Sequence, residues 1–248
     1  MQFPSLTDAF LTYFDVSLAT TVEQREQVAR MRFRVYCEEF GYESAEEFPD
    51  RQEVDEFDAY SLHCMVTHKR SGRTAGCVRL ICGSDSQILP LEKYCLNSMY
   101  LEYMDALTSN SSHVCEFSRL AVDTSFRRRR GEDHTRMGEY DSLDCSHQER
   151  RTFSLIGIVS FISAVAVASL TKRPHIIGMM ESNLPRLLRR SGLMVQQAGD
   201  YMEYHGQRAP YYLSTELAVE NMRDDLRGLY DTIHGRLAAS FHAQEDVA

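Results

Sequence analysis

The feature that most constrains the fold is an uncharged apolar stretch over residues 153–170, FSLIGIVSFISAVAVASL. Its 18 residues fall just inside the length range of a membrane-spanning helix. Four serines, Gly157 and several alanines favour a helix that packs closely against a sheet. The segments on both sides of it also show strand patterns that would belong to one sheet. We therefore interpret the stretch as a buried central helix. The alternative is a non-catalytic membrane-associated protein in which this stretch inserts in lipid, and a peripheral membrane contact of the stretch stays open.

Hydrophobic periodicity predicts the elements on either side of this helix. Strands are predicted over residues 10–19, 62–69, 74–82, 113–122 and 175–180, with two further short strands between 195 and 212. Helices are predicted over residues 22–40, 183–190 and 214–241, and the first of them has a capping box of Thr20 with Glu23. Residues 127–151 are polar without a hydrophobic period, which indicates an inserted loop.

The order of these elements predicts a mixed sheet in a single α/β (α+β) domain. The turn Arg70-Ser71-Gly72-Arg73 joins two strands as a hairpin. Strands 113–122 and 175–180 are joined through the apolar helix, so they are expected to be parallel with a right-handed crossover. Residues 1–213 would form the domain, and residues 214–248 a C-terminal helix and tail.

Charge and cysteine content exclude some classes of protein. The chain has 27 Lys and Arg against 36 Asp and Glu, a formal net charge of −9, which argues against a protein that coats nucleic acid by bulk charge. Its seven cysteines show no C-x-x-C spacing, so we expect buried reduced thiols and no metal site. No signal-peptide pattern is visible at the N-terminus, and a cytoplasmic location is expected.

Single charges inside apolar strand patterns are the most informative residues, because burying a charge is costly unless it is paired or used. Arg79 lies in CVRLI, and Glu116 and Arg119 lie in CEFSRLAV. Asp55 and Asp58 lie in a nearby acidic loop over residues 38–58, which also contains aromatic residues. The group indicates either an ion-pair network that ties strands together or a binding site.

An ordered set of these residues resembles the acyl-homoserine-lactone synthases, which are autoinducer synthases with the GNAT acyltransferase fold. The matching positions are Arg32 and Tyr36 in MRFRVYCEEFGYE, Asp55 and Asp58 in EVDEFD, Arg79 in GCVRL, and Glu116 with Arg119 in EFSRLAV. The sequence resembles more closely the N-acyl amino acid synthases and the PEP-CTERM/exosortase-associated acyltransferases, through VYCEEFGYE, SRLAVDTSFRRR and EYHGQRAPYY. The resemblance covers residues 14–213.

Departures from the lactone synthases narrow what the resemblance implies. Tyr36 and Tyr42 stand where those enzymes usually have Phe and Trp, and the chain contains no Trp. The glycine-rich pyrophosphate loop of acetyl-CoA-using GNAT proteins is missing, since only residues 127–131, RRRRG, occupy its place. These departures argue against a lactone product more than against acyl transfer, and they favour acyl carrier protein over CoA as the donor.

Amide formation from a thioester needs a base for the amine proton and donors for the developing oxyanion. Glu116 is the candidate base, and backbone N–H groups where strand 113–122 splays from strand 175–180 are candidate donors. Arg79 and Arg119 are the candidates to hold an acceptor carboxylate as a bidentate pair. An odd separation places Glu116 and Arg119 on opposite faces of a regular strand, so only a bulge or a splay would bring both to one site. Otherwise Arg119 would be structural, paired with Asp55 or Asp58.

The remaining candidate residues concern substrate and donor binding. No Cys or Ser nucleophile is required for direct attack, and Cys115 has no histidine base beside it. Acyl carrier proteins are acidic, as the resemblance implies, so the basic run of residues 127–130 would dock the donor, and a later helix could extend the patch. The predicted substrate-binding residues are Arg32, Tyr36, Tyr42, Asp55, Asp58, Arg79, Ser118 and Arg119, and the docking residues are Arg127, Arg128, Arg129 and Arg130, with Arg186, Arg189 and Arg190 next in line.

Together these observations predict an N-acyltransferase that moves a fatty acyl group from acyl carrier protein to the amine of an amino acid or amino-acid-derived acceptor. Acyl-phosphopantetheine would be a donor substrate and no cofactor would be permanently bound. The partners would be acyl carrier protein and a small-molecule acceptor, not nucleic acid, because no aromatic residues accompany the arginine run. The closest alternative is an acyl-homoserine-lactone synthase that uses S-adenosylmethionine.

Overall fold

The computed structural model describes residues 5–104, 111–127 and 145–245. Within them, helices α1 to α8 span Leu6–Tyr13, Val22–Phe33, Pro90–Tyr94, His147–Thr152, Ile156–Leu170, Asn183–Arg190, Thr215–Glu220 and Asp224–Glu245. Strands β1 to β8 span Phe14–Leu18, Ser61–His68, Thr74–Cys82, Val114–Val122, His175–Glu181, Gln196–Gln197, Met202–Glu203 and Gln207–Ser214. Single helical turns occur at Arg34–Glu39, Ala45–Glu47, Glu56–Tyr60, Leu96–Ser98, Ser111–His113, Thr124–Phe126 and Phe153–Leu155.

The strands form one mixed sheet, as the sequence predicts. Its order is β1-β2-β3-β4-β5-β8-β6, and β7 pairs with β8 off this path. Strands β2 and β3 form the predicted antiparallel hairpin. Strands β4 and β5 form the predicted parallel pair, which is joined in sequence through α5. A crossover helix connects parallel strands because a tight turn cannot.

Helix α5 is the buried centre of the fold, which confirms its interpretation from the sequence. Twelve of its fifteen residues are buried. The continuous helical run His147–Leu170 is long and apolar enough to cross a membrane, and 72% of its most apolar window lies inside the protein. Helix α5 packs on strands β2, β3 and β4 and is covered by α8. Its apolar character is therefore accounted for by burial within the fold.

The two faces of the sheet follow from the alternation of side chains along its strands. On β2, Cys64 and Val66 belong to the core cluster around α5, whereas Met65 packs with Val28 and Met31 of α2 on the opposite face. The structure thus has helices on both faces of its sheet. On β4, Phe117 lies on the α5 side, where its ring meets Phe161 with centroids 5.0 Å apart.

Four sequence-based boundaries are wrong. Residues 10–13 belong to helix α1, which Ser5 caps, so the first strand begins at Phe14. Helix α2 is capped by Thr21 with Gln24, one residue beyond the predicted pair. The C-terminal helix predicted over residues 214–241 is interrupted after Glu220 and resumes at Asp224.

The fourth correction concerns the predicted loop over residues 127–151. Residues 128–144 lie outside the described residues, but His147–Thr152 forms helix α4. Glu149 is buried, and its carboxylate lies 2.5 Å from Nε2 of buried His68 on β2. The buried residue Glu149 is ionisable and lies in a polar stretch, so the stretch has no hydrophobic period. Periodicity alone therefore does not predict helix α4.

Close packing of α5 on β3 depends on Gly76. A Cβ built on Gly76 would lie 2.5 Å from Cγ2 of Ile156 and 2.9 Å from Oγ of Ser160. Gly235 in α8 is a suitable control, because a Cβ there would meet nothing within 4 Å. We expect Gly76→Ala to lower the free energy of unfolding by about 1–3 kcal/mol through overpacking. Gly235→Ala should raise it by roughly 0.5–1 kcal/mol through the helical preference of alanine.

Urea unfolding of the two variants beside the unaltered protein measures both changes. Equal effects of the two substitutions would show that α5 can pack on β3 without a glycine at position 76.

Candidate active site

Two irregularities in β4 define the site. The pairing of β4 with β5 covers only Val114 to Glu116, opposite His175 to Ile177. On the other side, the register of β4 with β3 shifts between Cys77 and Arg79, which marks a β-bulge. Strand β4 therefore leaves β5 just after Glu116 and bends against β3 in the same stretch.

The bulge decides where Arg119 points. In a regular strand Arg119 would follow Phe117 towards the apolar core around α5. Arg119 instead has a φ of +52°, in the left-handed region that non-glycine residues rarely adopt. Its side chain lines the same cavity as Glu116. The bulge that the odd spacing required is thus present, and both residues face one site.

Two cavities adjoin the divergence of β4 and β5. The first, here called the polar cavity, has a volume of about 520 Å³ and contains Glu116, Arg79, Glu43 and Tyr204 in its wall. The second, here called the cleft cavity, has a volume of about 500 Å³ and is lined by apolar and charged residues of β4, β5, α6 and the segment 35–42. The residues common to both walls are Tyr36, Phe117, Ser118, Arg119, Met179 and Arg208.

Gly178 fixes the approach of the two strands at this junction. A Cβ built on Gly178 would lie 2.8 Å from the carbonyl oxygen of Phe117 and 2.6 Å from its ring. Only a glycine allows β5 to lie this close to Phe117. The junction of the two cavities is therefore bounded by backbone as well as by side chains.

A buried ion cluster forms the base of the polar cavity. Arg32 donates to both carboxylate oxygens of Asp58 at 2.7 and 3.1 Å, and it also pairs with Glu53. Arg79 donates to Oγ of Ser118 at 3.0 Å and pairs with Asp55 and Asp58. The predicted residues Arg32, Asp55, Asp58, Arg79 and Ser118 are thus brought together.

Arg119 completes the cluster. It donates to Glu53 at 3.0 Å, to Glu43 at 3.1 Å and to Asp55 at 3.2 Å, and its guanidinium lies 5.3 Å from the ring centre of Tyr36. The cluster holds three guanidiniums and four carboxylates. Its formal charge, +3 and −4, is therefore −1. Burial alone would raise the pKa of Asp58, but the charges of Arg32 and Arg79 hold it well below its ordinary value.

Most N–H groups of Arg79 and Arg119 therefore already donate to side chains of the protein, mainly to carboxylates. Nη2 of Arg79 and Nη1 of Arg119 have no acceptor among the described residues. Their predicted role in holding an acceptor carboxylate stays a prediction. The contacts in the structure assign both side chains to the support of the acidic loop.

Glu116 differs from every carboxylate of the cluster. Its side chain is 2% exposed, it accepts a hydrogen bond from the backbone N–H of Leu91 at 2.8 Å, and it has no ion pair with a described residue. Burial raises the pKa of Glu116 to about 8. The carboxyl group is thus held near the balance between its acid and base forms at neutral to mildly alkaline pH, as suits a general base.

The predicted residues Tyr36 and Tyr42 differ in the cavities that they line. The hydroxyl of Tyr36 donates to the carbonyl of Leu120 at 3.1 Å, and burial raises the pKa of Tyr36 to about 12. Tyr42 lines the cleft cavity and stacks on Phe40 with ring centres 5.2 Å apart. Tyr42 is absent from the wall of the polar cavity. Of the two tyrosines, only Tyr36 borders both cavities.

The predicted docking residues are only partly described. Arg127 lines the cleft cavity, pairs with Glu39 and lies over the ring of Phe40 at 5.1 Å. Arg128, Arg129 and Arg130 lie outside the described residues. Arg186, Arg189 and Arg190 are exposed on α6, whose Leu184 and Leu187 line the same cavity. The exposed arginines therefore belong to a helix that lines part of the cleft cavity.

Sequence reasoning missed several residues of the polar cavity. Glu53 is fully buried in the ion cluster, but it is one of ten acidic residues over 38–58 and nothing in the sequence distinguishes it. Tyr204, His205 and Arg208 also line the cavity. They belong to EYHGQRAPYY, so the quoted resemblance covered these positions without assigning them a role.

Comparison with known proteins agrees with this geometry. Residues 31–136 match the family model of the acetyltransferase (GNAT) domain. No curated protein sequence matches the chain. Among solved structures, TofI, crystallised in a ternary complex with an inhibitor and MTA, has a TM-score of 0.59 at 17% identity, with 82% of this chain and 91% of TofI covered.

Two further structures represent the two resembled groups. The AHL synthase LasI has a TM-score of 0.54 at 14% identity, with 85% of this chain and 97% of LasI covered. FeeM, an N-acyl amino acid synthase from uncultured soil microbes, has a TM-score of 0.56 at 14% identity, with 87% of this chain and 97% of FeeM covered. The chain thus contains a region that matches the GNAT acetyltransferase domain, and it shares its fold with acyl-homoserine lactone synthases and an N-acyl amino acid synthase.

Proposed function

We propose that the protein transfers a fatty acyl group from acyl carrier protein to the amine of an amino acid or amino-acid-derived acceptor. The observation that supports this most strongly is Glu116, a buried carboxyl group with a raised pKa and no ion pair among the described residues. It lies in the polar cavity, at the point where β4 leaves β5. A base between two cavities with a common wall suits a reaction that joins two substrates.

In the proposed reaction the acyl-phosphopantetheine arm occupies the cleft cavity and the acceptor amine occupies the polar cavity. The amine nitrogen attacks the thioester carbonyl, the C–N bond forms, and the C–S bond breaks to release the thiol of the carrier. Glu116 accepts one proton from the neutral amine, directly or through a water, and the leaving thiolate takes up one proton from Glu116 or from solvent, which restores the base. Backbone N–H groups of β4 beyond Glu116 are the proposed donors to the oxyanion, because β5 no longer pairs with that stretch.

Direct attack explains why no nucleophile is needed. Cys115 is fully buried on the α5 side of β4, and burial raises its pKa well above the ordinary range. A protonated thiol that faces the core cannot form an acyl-enzyme intermediate with a substrate in the polar cavity. The proposed mechanism therefore has a single tetrahedral intermediate.

Acyl carrier protein is the proposed donor for two reasons. The chain lacks the glycine-rich loop that binds the CoA pyrophosphate in acetyl-CoA-using GNAT proteins, and exposed arginines lie beside the cleft cavity. Among the structures with this fold, MesI and BjaI are described as CoA-dependent acyl-homoserine lactone synthases. A comparison of acyl-CoA with the acylated carrier protein is therefore part of the test.

We also propose a cytoplasmic location, since all seven cysteines are free.

An acyl-homoserine-lactone synthase that uses S-adenosylmethionine is the second candidate. The ion cluster has one more carboxylate than guanidinium groups, which favours a substrate with positive charge. Mass spectrometry separates the two candidates. An N-acyl amino acid retains the free acid, whereas a lactone forms when the carboxylate of the acylated S-adenosylmethionine displaces methylthioadenosine, so the product is a neutral cyclic ester accompanied by methylthioadenosine.

The first prediction from the proposed function concerns Glu116→Gln. The amide keeps the shape of the side chain and can still accept the Leu91 hydrogen bond, but it cannot take a proton. We expect kcat/KM for acyl transfer to fall by roughly 10²-fold or more. In the unaltered enzyme kcat/KM should rise with pH through an apparent pKa near 8. The residual kcat/KM of Glu116→Gln should not rise with pH in this way. Glu216→Gln, which changes an exposed residue of α7, is the matched control and should keep the pH dependence of the unaltered enzyme.

The second prediction uses the same variant to measure stability. The folded protein raises the pKa of Glu116 from 4.5 to about 8, so the folded state binds this proton more tightly than the unfolded state. The unaltered protein should therefore lose stability relative to Glu116→Gln as the pH rises from about 4.5 to 8, by at most about 1.4 kcal/mol per pH unit. Urea unfolding at several pH values measures the difference. A gap between the two proteins that is constant with pH would contradict the raised pKa.

The third prediction concerns donor docking. Replacing both Arg186 and Arg190 by Ser should raise the KM for acylated carrier protein several-fold at low ionic strength, with little change in kcat. The effect should shrink as salt screens the charges. A short acyl-pantetheine donor has no acidic protein surface and should be unaffected. Arg236→Ser, on α8, is the control. Equal losses of activity with both donors would show that Arg186 and Arg190 do not act by docking the carrier protein.

A further inference from the structure

Arg208 is the cation of the site that the ion cluster does not neutralise. It lies near the start of β8, opposite Glu181 of β5 and Met202 of β7. Its side chain lines both the polar cavity and the cleft cavity and is 15% exposed. Its guanidinium lies 5.2 Å from the ring centre of Tyr42. Arg208 therefore stands where the two proposed substrates must meet.

The hydrogen bonding of Arg208 is incomplete. Nη2 donates to Glu181 at 3.1 Å, and this carboxylate is itself 53% exposed. Nε of Arg208 is buried and has no acceptor among the described residues. A buried donor without a partner is unfavourable, so such groups usually indicate a missing ligand or water. Nε and a terminal nitrogen of one guanidinium form the fork that binds a carboxylate bidentately.

The charge balance of the site separates Arg208 from the other arginines. Arg32, Arg79 and Arg119 face four carboxylates, so a further carboxylate beside them would add to an existing negative excess. Arg208 has a single carboxylate partner among the described residues, and that partner is half in solvent. An anionic group in the polar cavity is therefore stabilised most at Arg208.

We propose that Arg208 binds the free carboxylate of the acceptor, which makes the acceptor class an unesterified α-amino acid. This inference rests on the proposed function, since it names the substrate of the same site. The carboxylate would take Nε and Nη2 of Arg208, with Glu181 released towards solvent. The amine would then point to Glu116 and the acidic side of the cavity, which attract a positive group.

The experiment compares two acceptors that differ only in the carboxylate. The acceptor is the amino acid that the unaltered enzyme acylates best from a panel of the twenty, and its methyl ester is the partner substrate. Arg208→Gln should raise the KM for the free acid by about tenfold or more and change the KM for the ester by less than about twofold. Arg208→Lys, which keeps the charge but lacks the fork, should give an intermediate loss.

Two further variants keep the test independent of folding. Glu181→Gln removes the competing carboxylate and should leave or lower the KM for the free acid. Arg236→Gln, on α8, should change neither acceptor. Thermal unfolding with and without the free amino acid gives a readout that does not need turnover. The amino acid should raise the melting temperature of the unaltered protein and of Arg236→Gln more than that of Arg208→Gln.

The outcomes separate this inference from the proposed function. If the unaltered enzyme acylates amino acids and Arg208→Gln weakens acid and ester equally, the carboxylate assignment is wrong while the function stands. A raised KM for the acyl donor in place of the acceptor would reassign Arg208 to the pantetheine arm and overturn the inference. If the unaltered enzyme acylates methyl esters but no free amino acid, the carboxylate assignment is wrong while acyl transfer to an amino-acid-derived amine stands. If it acylates neither, the proposed function itself fails.

Discussion

The parting of β4 from β5 after three paired residues is the constraint on which the site depends. A continuous sheet would bury both edges of β4 in backbone hydrogen bonds and leave no cavity between β4 and β5. The divergence opens the cleft cavity, and Gly178 keeps β5 against Phe117 where the two strands part. The bulge on the other edge turns Arg119 away from the apolar core. One strand thus supplies the buried carboxyl group of Glu116, which we propose as the base, and an ion-cluster arginine on one side, and core residues on the other.

The ion cluster explains how a loop with few regular elements is held in place. Glu43, Glu53, Asp55 and Asp58 come from the acidic loop, and Arg79 and Arg119 come from the sheet. Buried ion pairs are poor evidence of net stability, but removal of one partner leaves an uncompensated charge and is strongly destabilising. Loss of activity on mutation of Arg32 or Arg79 would therefore indicate first that the acidic loop is no longer held in place. It would not by itself indicate a role of that arginine in the reaction. Glu116 and Arg208, which lie outside the cluster, are better probes of function.

The sequence predicts the parts of this fold that local patterns determine. The uncharged run that becomes α5, the hairpin of β2 and β3, and the charges at Arg79 and Glu116 each stand out within a short window. The odd spacing of Glu116 and Arg119 means that both can face one site only if β4 has a bulge, but the spacing does not determine whether the bulge exists. That depends on the register of β4 with β3, which no local pattern contains. Glu53 and Glu149 are buried by partners distant in sequence, Arg119 and His68, and so looked like ordinary solvated acids.

The most direct test of this account is the product of the unaltered enzyme. Purified protein is incubated with an acyl carrier protein that has a fatty acyl thioester and with the twenty amino acids, and the extract is analysed by mass spectrometry. The account predicts an N-acyl amino acid, with its amide bond established by fragmentation, and an equal amount of free carrier thiol. Consumption of the thioester with only free fatty acid as product, or no consumption at all, would contradict it.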